Sequence, residues 1–338
     1  MDSINTMVEQ DGMRIGIDIG GTKISAVILD EEGREQARCR SEIPRNYDAT
    51  IDTIAEAVSQ LEGQAQPAGR IGISMPGVVS GAGEPVLVAN LPWLQGRPFR
   101  ADLERLLDRP VRIGNDANCF ALSEATDGAA AGASVVFGVI LGTGVGGGLV
   151  VNGRVVAGAN ATAGEWGHNP LPWREGSDGE EVTCGCGQTG CIETWLNGAA
   201  LSRDYFAASG RTANAEEIAR LAEEKDEHAR HAISLYEKRL ARALAAAINF
   251  LDPDVVVLGG GLSAIPSLYA KVPRLWSRYA SSGAMATRLV EANTGRTAAC
   301  VGRPGYSQLP SSASARLNYL RNQPFPTLFE AHDQIWHW

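Results

Sequence analysis

Met13-Arg14-Ile15-Gly16-Ile17-Asp18-Ile19-Gly20-Gly21-Thr22-Lys23 begins as an apolar strand and ends on a glycine turn. A second apolar strand, Ile24 to Leu29, follows at once, and Glu32-Gly33 is a turn. The same grammar returns about 120 residues later: Val135 to Leu141, then Gly142-Thr143-Gly144, then Gly148 to Val151, then Asn152-Gly153. Asn-Gly between apolar runs is a strong hairpin signal. Two matching strand–loop–strand modules point to a duplicated architecture with two related lobes.

The intervening segments fit the same plan. Residues 50–61 read as a helix. Arg70 to Met75 is a strand ending at Pro76-Gly77, and Val111 to Gly114 a strand ending at Asn115-Asp116, with a helix from Ala117. From Ala213 to Phe250, apolar residues including Ile218, Ile233, Leu240, Leu244 and Ile248 recur near a 3.6 period, which predicts one helix stopped by Asp252-Pro253. Val255 to Leu258 is a buried strand, and Gly259-Gly260-Gly261 follows it. Strands alternating with helices give an α/β fold class. The expected lobes are residues 13–122 and 123–292, the second carrying an irregular Gly-, Pro- and Cys-rich stretch over 158–198.

Composition narrows the function. The 338 residues suffice for two domains, and 44% hydrophobic residues supply a real core. The net charge of −9 leaves no broad cationic surface, so neither nucleic acid nor an anionic membrane is an expected partner. Residues 1–12 are polar and read as a dispensable extension without the apolar core of a secretory signal, so the expected location is cytoplasmic. Gly128 to Gly153 carries no charge and is long enough to span a bilayer, but its glycine cluster marks two strands around a loop.

Three glycine loops, each directly after an apolar strand, suit backbone N–H contacts to phosphate oxygens. A net acidic protein would hold a polyphosphate with such dipoles and a divalent cation. Asp18 ends the first strand, where a carboxylate either holds Mg²⁺ through water or caps the loop. Asn115-Asp116 stands where a strand meets a helix, the place of an N-cap or of a general base facing a cleft. Cys184, Cys186 and Cys191 fall within eight residues, and His168 lies sixteen residues before Cys184. A Cys₃His set is a closed tetrahedral zinc site of the structural kind, against the competing reading of buried thiols or one disulfide. Zinc there would fix Glu165 and Glu193, two carboxylates suited to neighbouring hydroxyls of a polyol. Trp93, Trp166, Trp173 and Trp195 read first as packing residues and second as a sugar-stacking set.

In this order, Ile17 to Lys23, Met75-Pro76-Gly77, Asn115-Asp116-Ala117, Leu141 to Gly144, Gly164 to His168, the cysteine cluster with Glu193, and Leu258 to Gly261 resemble the ROK family of sugar kinases and repressors. The resemblance implies an actin-like ATPase (ribonuclease H-like) fold, with two lobes around a nucleotide and sugar cleft. It implies ATP and Mg²⁺ as cofactors beside structural Zn²⁺, and Asp116 as the base that takes the proton of the sugar hydroxyl. It puts Asp18, Gly20, Gly21, Thr22, Lys23, Gly142, Thr143, Gly144 and Gly146 around the phosphates and Gly259, Gly260 and Gly261 near the adenosine. It places Asn90, Asn115, Glu165, His168 and Glu193 at the sugar. The run Glu165 to Trp173 with Ile192-Glu193-Thr194 looks most like bacterial fructokinases of the fructo/mannokinase type, making fructose 6-phosphate the expected product. An N-acetylglucosamine or mannose kinase is the alternative, as is a sugar-sensing ROK regulator without catalysis. Such regulators carry a long N-terminal helix-turn-helix, where twelve residues precede Met13 here. The expected assembly is a homodimer.

The resemblance fades after Ala292. Family members end on runs like Lys-His-Gly, Ser-Gly-Val-Arg and Ala-Ala-Trp-Leu, the last in a closing helix. Asn293 to Tyr306 can be written as fourteen codons that yield this ending once a single A is restored at their start. The expectation is a one-base deletion near codon 293, which makes residues 293–338 an unselected tail, rich in Pro, Ser and Asn and without a sustained period.

Overall fold

Side-chain alternation builds the first sheet. In β1 (Arg14–Ile19), Ile15, Ile17 and Ile19 are buried on one face, and Asp18 points to the other. β1 pairs antiparallel with β2 (Lys23–Leu29), and β2 pairs antiparallel with β3 (Glu35–Glu42). On its other side β1 runs parallel to β4 (Arg70–Met75), and β4 to β7 (Val111–Asn115), giving the order β3-β2-β1-β4-β7. A short ribbon of β5 (Val78–Val79) and β6 (Pro85–Leu87) lies between them in sequence. Helices α1 (Tyr47–Glu62) and α2 (Phe99–Leu107) complete this half, and α1 buries Ile51, Ile54, Val58 and Leu61 in the core under the sheet. The computed structural model describes residues 12–80, 84–88, 91–282 and 285–293. Asn90, Cys300 and the tail from 294 lie outside the described residues.

The second sheet repeats the first. β8 (Val135–Leu141) pairs antiparallel with β9 (Val145–Val151), β9 with β10 (Arg154–Val155), and β8 runs parallel to β11 (Val255–Gly259) and β11 to β12 (Arg288–Glu291). The order β10-β9-β8-β11-β12 matches the first sheet strand for strand. Asn152 and Gly153 both take positive φ, 49° and 72°, as the tight hairpin turn requires. The core of this half gathers α4 (Glu193–Leu196), α5 (Gly198–Ser209), α6 (Ala215–Glu223), α7 (Glu227–Leu251) and α8 (Ser267–Trp276) around Trp195, Tyr236, Leu240, Leu244 and Trp276.

The helix expected over 213–250 is two helices. Lys225 takes φ 71°, and Asp226 then caps α7 by accepting from the Ala229 N–H. Both helices face one core, so the apolar period runs through the break. Sequence reading also passed over β3 and α5. In β3, Ala37, Cys39 and Ser41 alternate with exposed Gln36, Arg38, Arg40 and Glu42, but only Cys39 is buried, so the inward face is too weakly apolar to read. α5 is marked by its cap Asn197 and by Gly210 at φ 69°.

The two sheets meet through α3 (Asp116–Thr126). It starts directly at the end of β7, but its body lies on β8 and β9 of the other sheet. Glycines set the distance. A Cβ on Gly148 would stand 2.4 Å from the Ala117 carbonyl oxygen, and one on Gly138 2.8 Å from the Ala121 Cα. Among the described residues, no helix is long and apolar enough to cross a membrane. Gly148→Ala forces α3 off the sheet and should cost about 1–3 kcal/mol, read as a lowered midpoint in thermal unfolding; an unchanged midpoint would show that this approach is not tight.

Candidate active site

The glycine loops gather at the carboxyl ends of the parallel strands. In the first, the Gly20 N–H donates to the Lys23 carbonyl at 2.8 Å, leaving Gly21, Thr22 and Lys23 exposed. In the second, the Gly142 N–H donates to the Gly144 carbonyl at 3.0 Å. The third follows β11, where Gly260 takes φ 85° and sits so close that a Cβ would come 2.3 Å from the Leu141 carbonyl. Gly260 therefore abuts the end of β8, directly before the turn Gly142-Thr143-Gly144, with Gly146 just inside β9.

Asn115 and Asp116 divide the two readings of their position. Asn115 is the N-cap: its Oδ1 accepts from the Asn118 N–H at 3.0 Å, and its Nδ2 donates to the Gly77 carbonyl at 3.0 Å. These bonds tie the Pro76-Gly77 turn to α3 and use one of the two N–H groups of the amide. Asp116, one residue on, accepts from the Ala117 N–H at 2.8 Å and otherwise faces the cleft. Burial, followed by the Asp18 and Glu165 carboxylates, pushes its carboxyl up to about 6. Asp18 is open to the cleft yet closely surrounded by protein, and burial raises its carboxyl too.

The irregular stretch supplies the opposite wall. Backbone bonds from Leu171 to Gly190 and from Ile192 to Asn169 zip its two arms together, which brings His168 to the cysteines. The donor atoms of His168, Cys184, Cys186 and Cys191 all lie within 4.8 Å of one another. The Cys186 and Cys191 sulfurs are 3.7 Å apart, matching the edge of about 3.8 Å in a tetrahedron with Zn–S near 2.3 Å. His168 Nδ1 lies 3.5 Å from the Cys184 sulfur, while its Nε2 faces Glu165 Oε2 at 3.8 Å. Burial raises the Glu165 carboxyl, opposed by His168 and reinforced by Glu193. Burial and the two neighbouring thiols push Cys191 up to about 12, which disfavours its thiolate, the form that a cation among the sulfurs would favour.

Glu193 stands between the two walls. Its Oε2 accepts from the Val145 N–H at 3.0 Å, and its Oε1 lies 3.5 Å from the Cys184 sulfur. Trp166 is buried and donates from Nε1 to the Gly146 carbonyl at 3.0 Å. Trp195 is buried, with the Arg174 and Arg239 guanidiniums 5.0 Å and 5.1 Å from its ring centroid, and Trp93 donates to Thr50 Oγ1. Trp173, partly exposed, leans on Tyr279. All four tryptophans thus have packing or anchoring partners. Sequence reading missed Ser74, at the Asp18 level of the sheet, and the buried Arg239–Asp178–Arg242 cluster under the irregular stretch. The two arginines occupy buried positions on α7, and a charge inside an apolar helical face was the signal.

Residues 14–304 match the sequence profile of the ROK family. The chain belongs to the ROK family. An N-acetyl-D-glucosamine kinase of Pectobacterium carotovorum is 42% identical over 272 residues, covering 79% of this chain and 90% of that protein. The ROK hexokinase of Thermus thermophilus superposes with a TM-score of 0.75 at 31% identity, over 92% of this chain and all of that one. A ROK family glucokinase of Streptomyces griseus, solved with glucose and AMPPNP, gives 0.72 at 28% identity, over 86% and 97% of the two chains. The fold of this ROK protein is accordingly the two-lobed α/β actin-like arrangement.

The electrostatics of the ROK cleft predict a pH-dependent stability. The folded Asp116 carboxyl sits above its ordinary value of 3.8, so its ionised form disfavours folding. That penalty grows as pH rises from about 4 and is complete above about 6. Asp116→Asn removes it. The variant should melt roughly 2–6 °C above wild type at pH 8 and level with it near pH 4; a pH-independent difference would show that the carboxylate is not the cause.

Proposed function

We propose that this ROK protein is an ATP-dependent sugar kinase that phosphorylates a hexose hydroxyl, with N-acetylglucosamine as its preferred substrate. The observation that carries the reaction type is Asp116: a carboxylate at a helix start, raised to about 6 by burial and by the neighbouring Asp18 and Glu165 carboxylates. In the reaction, Asp116 takes the proton of the acceptor hydroxyl as its oxygen bonds to the γ-phosphorus. The bond from that phosphorus to the bridging oxygen breaks, and ADP leaves with the electron pair. A base near pH 6 is ionised at neutral pH and still able to hold the proton. Gly21, Thr22 and Lys23 in the first loop and Thr143 and Gly144 in the second offer the backbone N–H groups to the phosphates, since those of Gly20, Gly142 and Val145 already bond within the protein, and Gly259 to Gly261 border the nucleoside end.

The sugar end falls to Glu165, His168 and Glu193. A metal held by the cysteines and His168 Nδ1 would leave the His168 Nε2, which faces Glu165, as a donor toward the substrate. Glu165 accepts from neighbouring hydroxyls. The four-ligand set fits structural zinc, which would replace the missing core of the loop. Oxygen donors at Asp18 and an unpartnered hydroxyl at Ser74 fit a hard divalent cation. Mg²⁺ held there would supply charge neutralisation for the phosphates.

The choice of sugar rests on kinship. The motif run Glu165 to Trp173 favoured fructose, whereas the curated relatives carry the alternative name, N-acetyl-D-glucosamine kinase. A coupled ADP-release assay over a panel of hexoses should give at least roughly tenfold higher kcat/KM for N-acetylglucosamine than for fructose, glucose or mannose. Fructose as the best substrate would overturn the sugar assignment and leave the chemistry standing. Asp116→Asn should lower kcat by roughly 10²–10⁴-fold with sugar binding nearly intact; an unchanged kcat would remove Asp116 as the base.

Zinc is tested separately. Freshly purified protein, kept free of chelator, should hold about one zinc per chain by elemental analysis. Cys186→Ser should lose zinc and sugar affinity together, since the same stretch carries Glu165, His168 and Glu193. Protein that is active and free of zinc would refute the site.

A further inference from the structure

Ser74 is fully buried, yet its hydroxyl has no hydrogen-bond partner of normal geometry in the protein. A buried hydroxyl left unpaired costs free energy that alanine at the same place would not. The position of this hydroxyl is fixed by strand register. Ser74 on β4 lies opposite Asp18 on β1 in the parallel pairing, and opposite Gly114 on β7. Residues paired across adjacent strands point to the same face, so Ser74 shares the face of Asp18. Gly114 puts no side chain beside it, and Asn115 and Asp116 follow directly. Ser74 is thus the middle of a row across the end of the sheet, with Asp18 on one side and the start of α3 on the other. The hydroxyl lies close enough to Asp18 to oppose part of the effect of burial on that carboxyl.

We propose that Ser74 is a positioning residue for the metal–nucleotide end of the reaction. Its hydroxyl donates to one Asp18 oxygen when the divalent cation of the nucleotide is bound, and so turns the other oxygen toward a water of that cation. The inference rests on the ATP-dependent reading above. It explains why a polar group stands in an otherwise apolar strand end, between Ile73 and Met75, near Asp18 but without a hydrogen bond of normal geometry in the free protein.

Ser74→Ala and Ser74→Thr in the full-length, metal-replete protein test it. Titration calorimetry follows AMPPNP binding with and without Mg²⁺, steady-state rates give the Mg²⁺ requirement and the sugar KM, and thermal unfolding reports stability. Ser74→Ala should weaken Mg²⁺·AMPPNP binding roughly tenfold and raise the half-saturating Mg²⁺ by a similar factor. Metal-free AMPPNP binding and the sugar KM should stay within about twofold, and the melting temperature should hold or rise, because an unpartnered buried hydroxyl has gone. Ser74→Thr, which keeps the hydroxyl, should recover most of the loss. An unchanged Mg²⁺ dependence in Ser74→Ala, or an equal loss for sugar, metal-free nucleotide and stability, overturns the proposal. If the wild type itself binds AMPPNP no better with Mg²⁺ than without, the nucleotide reading fails, and Ser74 loses its role with it.

Discussion

The seating of α3 is the constraint on which the site depends. Its cap, Asn115, is the last residue of a strand in one sheet, while its body lies against the other sheet. No loop intervenes between β7 and α3, so the direction of Asp116 has no slack of its own. It follows from how far each sheet lets the helix approach, and Gly138 and Gly148 let it come to backbone contact. Anchoring at both ends makes the carboxylate a fixed point where the halves of a duplicated fold meet. The helix N-terminus also places positive dipole charge beside a carboxylate that burial disfavours.

The cleft is acidic although its expected ligand is a polyanion. Asp18, Asp116, Glu165 and Glu193 all border it, and Lys23 is the cation of the first loop. Binding therefore leans on backbone dipoles and on a divalent ion more than on side-chain charge. The proposed sugar wall and the proposed phosphate loop also share parts. Glu193 accepts from the Val145 N–H, and Trp166 donates to the Gly146 carbonyl, so two residues next to the cysteine cluster hold the same hairpin. A displacement of the cysteine knuckle is thereby transmitted to the loop expected to meet phosphate.

What the sequence disclosed follows from which signals are local. The two hairpin modules were legible because strand alternation and glycine punctuation are written within a few residues. The duplication they implied appears as identical strand orders in the two sheets. The four-ligand cluster was legible because ligand chemistry and spacing are local as well. The break between α6 and α7 was not, because both helices feed one apolar core and a period cannot register a turn that preserves it. The separate fates of Asn115 and Asp116 were also hidden. Adjacent polar residues at a strand end look alike until the Gly77 carbonyl, 38 residues away in sequence, is seen to claim one of them. Ser74 was missed because a single serine in an apolar strand carries no signal until its register with Asp18 is known. Sugar preference depends on pocket shape, which motif residues do not encode.

The stretch from Glu165 to Glu193 is held at two places by different forces. At its inner end, the cysteines and His168 form the metal-suited cluster. At its outer end, Asp178 is buried against α7, where Arg239 donates to it at 3.2 Å and Arg242 at 2.5 Å, with Asp204 also bonded to Arg239. Burial opposes ionisation of Asp178, but the Glu175 N–H and the two guanidiniums prevail and hold its carboxyl below the usual range. Such a buried cluster adds little net stability against an apolar replacement, yet losing one partner strands a charge. It therefore specifies where the loop docks more than how strongly the fold holds. Trp195, stacked by Arg239 and two residues beyond Glu193, carries that docking toward the site. With the outer end fixed independently of any metal, loss of the inner ligands acts on the segments of Glu165, His168 and Glu193 and spares the rest of the loop. The metal-suited cluster is in this sense a local device for the proposed sugar wall, set within a loop that the ionic cluster already anchors.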